Sequence, residues 1–361
     1  MLLLLVSCAL LPLLCAHPPA SRVVSGAPGC ARKPSSATSI SGAAWALVAA
    51  DDTAVCAVHD PTLARDEAGV LWVVSTDAGA PPAPPLLRLR ASGDGGRTWA
   101  TRGAVFERLP AWAAAAVPAA TGLWAPDLSF VAGRWLLFYS VSSFGSQRSA
   151  IGLAMSATLA GGGAWVDAGA VLASAPGAGE DYNAIDPSVA DDGENAWLVY
   201  GSFWGGIHAV PLDAGSGKPA ANATPTVLAR RPAPDALEGA FLLPRPDAYY
   251  LFVSWDYCCR GVSSNYSVHV GRSPRIDGPY VDRAGAPMLD GGGSLFVGGG
   301  HGWAAGGGPG FLRTTAGVDP AVMVLHAYDG ETGAPYLQLI DVAWGADGWP
   351  AVATKRQRKG A

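Results

Sequence analysis

The hydrophobic positions of this 361-residue chain recur in short blocks rather than in helical stripes. Gly69-Val-Leu-Trp-Val-Val-Ser-Thr76, Gly133-Arg-Trp-Leu-Leu-Phe-Tyr-Ser140, Asn195-Ala-Trp-Leu-Val-Tyr-Gly-Ser202 and Tyr249-Tyr-Leu-Phe-Val-Ser254 are runs of aromatic, aliphatic and β-branched residues bounded by turn formers, which read as strands. Before each run stands a polar turn, and before that a shorter apolar segment opening near an acid: Asp60-Pro-Thr-Leu, Pro126-Asp127-Leu-Ser-Phe, Asp186-Pro-Ser-Val and Glu238-Gly-Ala-Phe. A weaker fifth copy runs from Gly310-Phe-Leu-Arg to Val322-Met-Val-Leu-His-Ala-Tyr328. Third strands follow, as in Ser149 to Ser156 and Ser267 to Ser273, and fourth strands come after glycine-rich turns. The spacing of the copies suits four-stranded sheets better than the shorter units of solenoids. Five such sheets around an axis predict an all-β, five-bladed β-propeller, which protects its strand edges by closure. A β-sandwich is the rival, but it has no need of a polar residue recurring at one strand position.

Composition agrees and adds a compartment. The 47 Gly and 29 Pro disfavour a helical bundle, and 13 Trp with 10 Tyr disfavour a disordered chain. Net charge is −5, and Lys355, Arg356, Arg358 and Lys359 sit in the tail, so the body is more acidic still. That argues against nucleic acid or an anionic membrane as partner. Leu2 to Ala16 is apolar, ends in small residues and is too short to span a bilayer, so residues 1–16 read as a secretory signal. Residues 17–44 form a low-complexity leader, 45–352 the folded domain and 353–361 a basic tail. An exported chain keeping Cys30, Cys56, Cys258 and Cys259 is expected to use disulfides. The adjacent Cys258 and Cys259 either form a strained vicinal bridge, of a kind found mostly at functional sites, or stay free, or give one partner to Cys30 or Cys56. Asn222 and Asn265 begin glycosylation sequons.

First strands of propeller blades line one channel, so residues at the same strand position converge although distant in sequence. Asp60, Asp127, Asp186 and Glu238 are expected to share that position, with no basic residue in the slot of blades two to four. Clustered carboxylates raise one another's proton affinity, so one can stay protonated while another is ionised. Glycosidic cleavage needs that division: an acid for the leaving oxygen and a base or nucleophile opposite. The plain alternative is that Asp-Pro merely caps a turn at a strand start. Trp124, Phe144 and Trp204 lie near the slots as candidate sugar platforms, and Asn183 and Ser202 as hydrogen-bonding partners for hydroxyls.

These residues and their order resemble glycoside hydrolase family 43, and within it the endo-arabinanases. The matching segments are His59-Asp60-Pro61-Thr62, Trp124-Ala125-Pro126-Asp127, Asn183 through Ser188, Leu237-Glu238-Gly239, Gly271-Arg-Ser with Gly278-Pro-Tyr280, and His326 through Pro350. The Tyr257-Cys258-Cys259 segment looks like the fungal branch, and Gly291 to Gly310 is longer than the family's usual segment. The resemblance implies hydrolysis with inversion, with Asp60 as general base, Glu238 as general acid and Asp186 tuning and orienting the acid. It implies substrate contacts from His59, Trp124, Asp127, Phe144, Asn183, Ser202 and Trp204. It also implies a channel metal, often calcium, on His326, with His301 as runner-up, and no organic cofactor. The resulting expectation is a secreted monomer that cuts internal α-1,5 bonds of arabinan. An exo-acting arabinofuranosidase or β-xylosidase, and a non-catalytic carbohydrate-binding propeller, are the alternatives.

Overall fold

A computed structural model describes residues 55–77, 86–160, 165–213 and 215–353. The expected signal and leader, Cys30 and all of the basic tail but Ala353 lie outside the described residues. Blade 1 is β1 (Val58–Arg65), β2 (Leu71–Asp77), β3 (Leu86–Ser92) and β4 (Ala100–Phe106). After the short helix α1 (Ala111–Ala116), blade 2 is β5 (Leu123–Val131), β6 (Arg134–Val141), β7 (Ser149–Ser156) and β8 (Val166–Ser174). Blade 3 is β9 (Ser188–Asp191), β10 (Ala196–Tyr200) and β11 (Ile207–Asp213), edged by β12 (Lys218–Pro219) and β13 (Thr226–Ala229). Blade 4 is β14 (Leu237–Pro244), β15 (Tyr249–Trp255), β16 (Ser267–Ser273) and β17 (Ser294–Val297). Blade 5 is β18 (Trp303–Thr314), β19 (Gly317–Asp329), β20 (Pro335–Trp344) and β21 (Pro350–Val352).

Within every blade the strands run antiparallel in sequence order, except that β13 of blade 3 pairs with β11. The molecule is the five-bladed β-propeller that the repeat predicts. Blades 5 and 1 join where β18 pairs in parallel with β1, at Arg313 and Ala64. The segment entering blade 1 adds a bridge from Cys56 to Tyr336 of β20. Chain ends distant in sequence thus close the ring.

Blades stack face to face, so their inner and middle strands lose both faces to apolar neighbours. Such strands read as continuous hydrophobic runs, not as alternation. Trp135 to Val141 in β6 is buried throughout, whereas the outer strand β4 is exposed over most of its length. The core is a set of layers between blades: Val74, Leu87 and Leu89 against Leu128, Leu137 and Tyr139 between blades 1 and 2, and Phe241, Phe252 and Phe311 between blades 4 and 5.

Candidate active site

One backbone device recurs at the channel mouth. Asp60, Ala125, Asp186, Gly239 and Gly308, one per blade, take φ of 45°, 41°, 57°, 54° and 63°. The strand registers slip at this point in four of the blades: between His59 and Thr62, Trp124 and Asp127, Glu238 and Phe241, and Gly307 and Gly310. Each slot residue is followed by proline except Gly239, which is followed by alanine. The five triplets that begin with these residues, from Asp60-Pro61-Thr62 to Gly308-Pro309-Gly310, line a single cavity.

A ring of side chains secures the slots. In four of the five blades a polar residue towards the end of the second strand accepts a hydrogen bond from the next blade. Thr76 Oγ1 accepts the Ala125 N–H at 2.7 Å, Ser140 Oγ the Asp186 N–H at 2.9 Å, Ser254 Oγ the Gly308 N–H at 2.9 Å and His326 Nδ1 the Asp60 N–H at 3.1 Å. Between blades 3 and 4 the pattern changes: the Gly239 N–H donates to Asp186 Oδ2 at 3.1 Å, and Ser202 Oγ donates to Glu238 Oε2 at 2.7 Å. Gly308 is needed for space as well as for φ, since a Cβ there would sit 3.1 Å from Asp60 Oδ1 and from His326 Nδ1.

The expectation that Asp127 and Glu238 share the slot of Asp60 and Asp186 is corrected here. The slot in blade 2 is Ala125 and in blade 4 Gly239, so Glu238 precedes the slot and Asp127 lies beyond it. The slots of blades two to four hold no basic residue, as expected, yet Asp127 is neutralised from outside them. Arg313 of blade 5 reaches both its oxygens at 3.0 Å, while Ser129 Oγ and the Val189 N–H also donate to it. Asp127 is 4% exposed, and with both oxygens held this way it is a structural tie between blades rather than a group open to sugar.

Asp60, Asp186 and Glu238 come together at the mouth, where Asp186 feels the charges of Glu238 and Asp60, and Glu238 that of Asp60. Burial raises the Asp60 pKa to about 6 against a hydrogen bond from Thr76 at 3.0 Å. Burial lifts Asp186 well above the usual carboxylate range, and the charges of Glu238 and Asp60 add to it. Burial likewise raises Glu238, opposed by hydrogen bonds from Ser202 and Tyr266. Behind Asp60, His59 stacks on His326 with ring centroids 4.5 Å apart. Burial lowers the His59 pKa to about 4 and holds His326 well below its ordinary value, so both rings are neutral near pH 7. None of these groups meets an Arg or Lys among the described residues.

The remaining expected residues divide. Ser202 holds the acid rather than facing a sugar freely. Asn183 is buried, its Oδ1 occupied by Ser149 Oγ at 2.7 Å. Trp124 is half-buried immediately before its slot, and Trp204 is half-buried in a turn at φ 25°. Phe144 stands out on the loop after β6, 81% exposed. Sequence reasoning missed Thr76, Ser254, Tyr266 and Tyr328. For the first two the signal was the hydroxyl ending each repeated apolar run; the tyrosines lack any comparable pattern.

His326 fits a metal ligand by an unused atom. Its Nε2 is buried with no partner; ligation there needs the ring proton on Nδ1, which would then turn from the Asp60 N–H to Asp60 Oδ1, 3.6 Å away. His59, Asp60 and His326 form the one group of potential ligands found among the described residues, their donor atoms within 4.8 Å of one another. His301 lies elsewhere, exposed in the turn before β18.

A five-bladed propeller with an uncompensated carboxyl trio at one channel mouth is the framework of a glycosidase. The profile of glycosyl hydrolases family 43 matches residues 55–350, and the chain belongs to that family. It is 37% identical over 297 residues to an extracellular endo-α-(1→5)-L-arabinanase of Bacillus subtilis, covering 81% of this chain and 87% of the relative. An extracellular exo-α-(1→5)-L-arabinofuranosidase of Cellvibrio japonicus is 37% identical over 316 residues, covering 82% of this chain and 87% of its own length. The structure of Cellvibrio cellulosa α-L-arabinanase complexed with arabinohexaose superposes with a TM-score of 0.74 at 33% identity, over 83% of this chain and 96% of that one.

Proposed function

We propose that the protein is a secreted, endo-acting arabinanase that hydrolyses internal α-1,5-L-arabinofuranosidic bonds with inversion. The observation that carries the reading is the meeting of three buried carboxyls at one mouth with no cationic partner among the described residues. Burial raises the Asp60 pKa to about 6 and pushes Asp186 and Glu238 upward as well, with the charge of Asp60 adding to both and that of Glu238 adding to Asp186. Ionised Asp60, held through Oδ2 by Thr76, draws the proton from a water as that water attacks the anomeric carbon. Protonated Glu238, held by Ser202 and Tyr266, gives its proton to the leaving oxygen. Asp186 keeps the acid in place through the Gly239 N–H, and its proximity keeps the pair's affinity for protons high. A divalent cation on His326 Nε2, calcium being the expected one, would have waters as its other ligands and would supply positive charge beside Asp60.

Endo action is favoured by Phe144, a bare ring on the rim beyond the trio, suited to stacking on sugars of a chain that continues past the cleavage point. Extracellular names among the relatives support secretion. Digestion of linear arabinan should give a ladder of short oligosaccharides, and the first product seen by NMR should carry the inverted anomer. Release of monomer alone from the outset would favour the exo reading. Metal analysis of wild type beside His326→Ala should show loss of bound metal; equal content would remove that ligand.

A further inference from the structure

The loop after β15 carries a motif that the chemistry above leaves unused. Cys258 and Cys259 are joined by a disulfide, one of the arrangements open from the sequence, and Cys259 takes a left-handed φ of 66°. Cys56 is disulfide-bonded as well. The Cys258–Cys259 unit reaches the floor of the site on two sides. Its Cys259 N–H donates to Tyr328 Oη at 2.9 Å, and that oxygen lies 3.8 Å from Cys259 Sγ. Tyr328 is buried, its hydroxyl 3.4 Å from His59 Nε2, its ring edge-on to His59 and His326 at centroid distances of 5.4 and 5.3 Å. His326 in turn accepts the Asp60 N–H. Cys258 packs into the small cluster of Tyr266, Ala305 and Tyr328, and Tyr266 is hydrogen-bonded to the Glu238 carboxyl. One turn of chain thus touches the tyrosine behind the base and packs against the cluster that holds the tyrosine behind the acid.

We propose that the vicinal disulfide is a positioning element for catalysis, holding the Cys259 N–H on Tyr328 and Cys258 against the cluster of Tyr266, Ala305 and Tyr328 so that Asp60 and Glu238 keep their relative placement. The proposal rests on the hydrolase reading above. A non-glycine residue at positive φ relaxes toward the ordinary regions unless its surroundings forbid it. A bridge between neighbouring residues ties their two side chains across one peptide unit, so the Cys259 N–H cannot swing away from Tyr328. In this role the sulfurs need touch no sugar; they act through the tyrosines.

The test uses the full chain carrying C258A/C259A, Y328F, and both together, with kcat and KM on a linear arabino-oligosaccharide and Tm alongside. C258A/C259A should lower kcat about tenfold with KM within about twofold, the scale of a small misplacement of reacting groups. Y328F should do much the same, and the combined variant should lose no more than the worse of the two, because both cut one link. Unchanged kcat in folded C258A/C259A, a loss confined to KM, or effects that multiply would each overturn the proposal. Should C258A/C259A not fold, phosphine reduction of the wild-type chain, with Cys56→Ala as control for the other bridge, gives the same kcat reading. Wild type inert on arabinan would overturn the substrate reading alone. The same cycle read on Tm then decides the positioning link, additive shifts sinking it and non-additive shifts sustaining it.

Discussion

Asp127 and the trio of Asp60, Asp186 and Glu238 rise from the same ring of inner strands, and burial pushes all four toward higher pKa. Their partners differ. Asp127 has the Arg313 guanidinium on both oxygens, whereas the trio has hydroxyls, a backbone N–H and neutral histidine. A buried carboxylate with a charged, hydrogen-bonded partner holds two blades together. One without such a partner can change protonation during a reaction. Cavity size does not separate the two regions usefully. A larger cavity, about 250 Å³, lies further along the same strands beside Arg313 and Ser129, and no member of the trio lines it.

The largest expected difference between the two sets comes from removing single charges. Glu238→Gln or Asp60→Asn should lower kcat by about 10²- to 10⁴-fold, the usual worth of a general acid or base, with Tm kept. Asp127→Asn should do the reverse. It leaves Arg313 buried without its partner, a change that typically costs about 3–5 kcal/mol, while the protein that remains folded turns over normally. Replacing the pair together, as Asp127→Asn with Arg313→Met, which keeps an acceptor for the Val189 N–H and Ser129 Oγ, should recover much of that stability, because no charge is left buried alone. Thermal melts with kcat on the same preparations check both halves. Asp127→Asn that melts like wild type but is inactive would erase the distinction.

The propeller was legible because strands covered on both faces are written as uninterrupted apolar runs, and those runs recur. Asp60, Asp186 and Glu238 were legible as acids near strand starts. Their register was not. Aligning the acids put Asp127 in the slot, whereas aligning the dipeptides Asp60-Pro61, Ala125-Pro126, Asp186-Pro187 and Gly308-Pro309 finds the position that the backbone marks with positive φ. A bulge displaces side chains by a residue or two without altering the hydrophobic pattern. Likewise Arg313 lies 186 residues from Asp127, and no local pattern pairs them. The vicinal bridge was foreseen as one option among several; its contact with Tyr328 depends on two blades meeting.

A second, smaller effect sharpens the contrast through pH. Asp186 has its folded pKa raised by burial and by Glu238 and Asp60. A carboxyl raised in this way favours the fold fully below its ordinary pKa, and that contribution is lost as pH climbs through the raised value. Asp186→Asn should therefore melt near wild type at about pH 4 and a few degrees above it at pH 8, roughly what ~1 kcal/mol does to a domain of this size. Removing its charge from beside Glu238 should also move the basic limb of kcat/KM to lower pH. A basic limb that stays in place would mean that Asp186 does not tune the acid.

The smallest effect tests the slot itself, apart from its acids. Ala125 carries the same backbone turn as Asp60 and Asp186, at φ 41°, but is neither glycine nor a residue whose side chain can hydrogen-bond locally. Left-handed geometry costs an alanine about 1–2 kcal/mol. Glycine relieves that cost and gives back about 0.4–1 kcal/mol through the freer unfolded chain. Ala125→Gly should thus gain roughly 0.5 kcal/mol, or about 1–2 °C in Tm, and leave kcat within about twofold, because the N–H to Thr76 is kept. A loss of stability instead would mean that the buried Ala125 methyl packs well enough to outweigh the backbone strain. The slot would then be held by side-chain fit at blade 2 and by backbone preference only where glycine already stands.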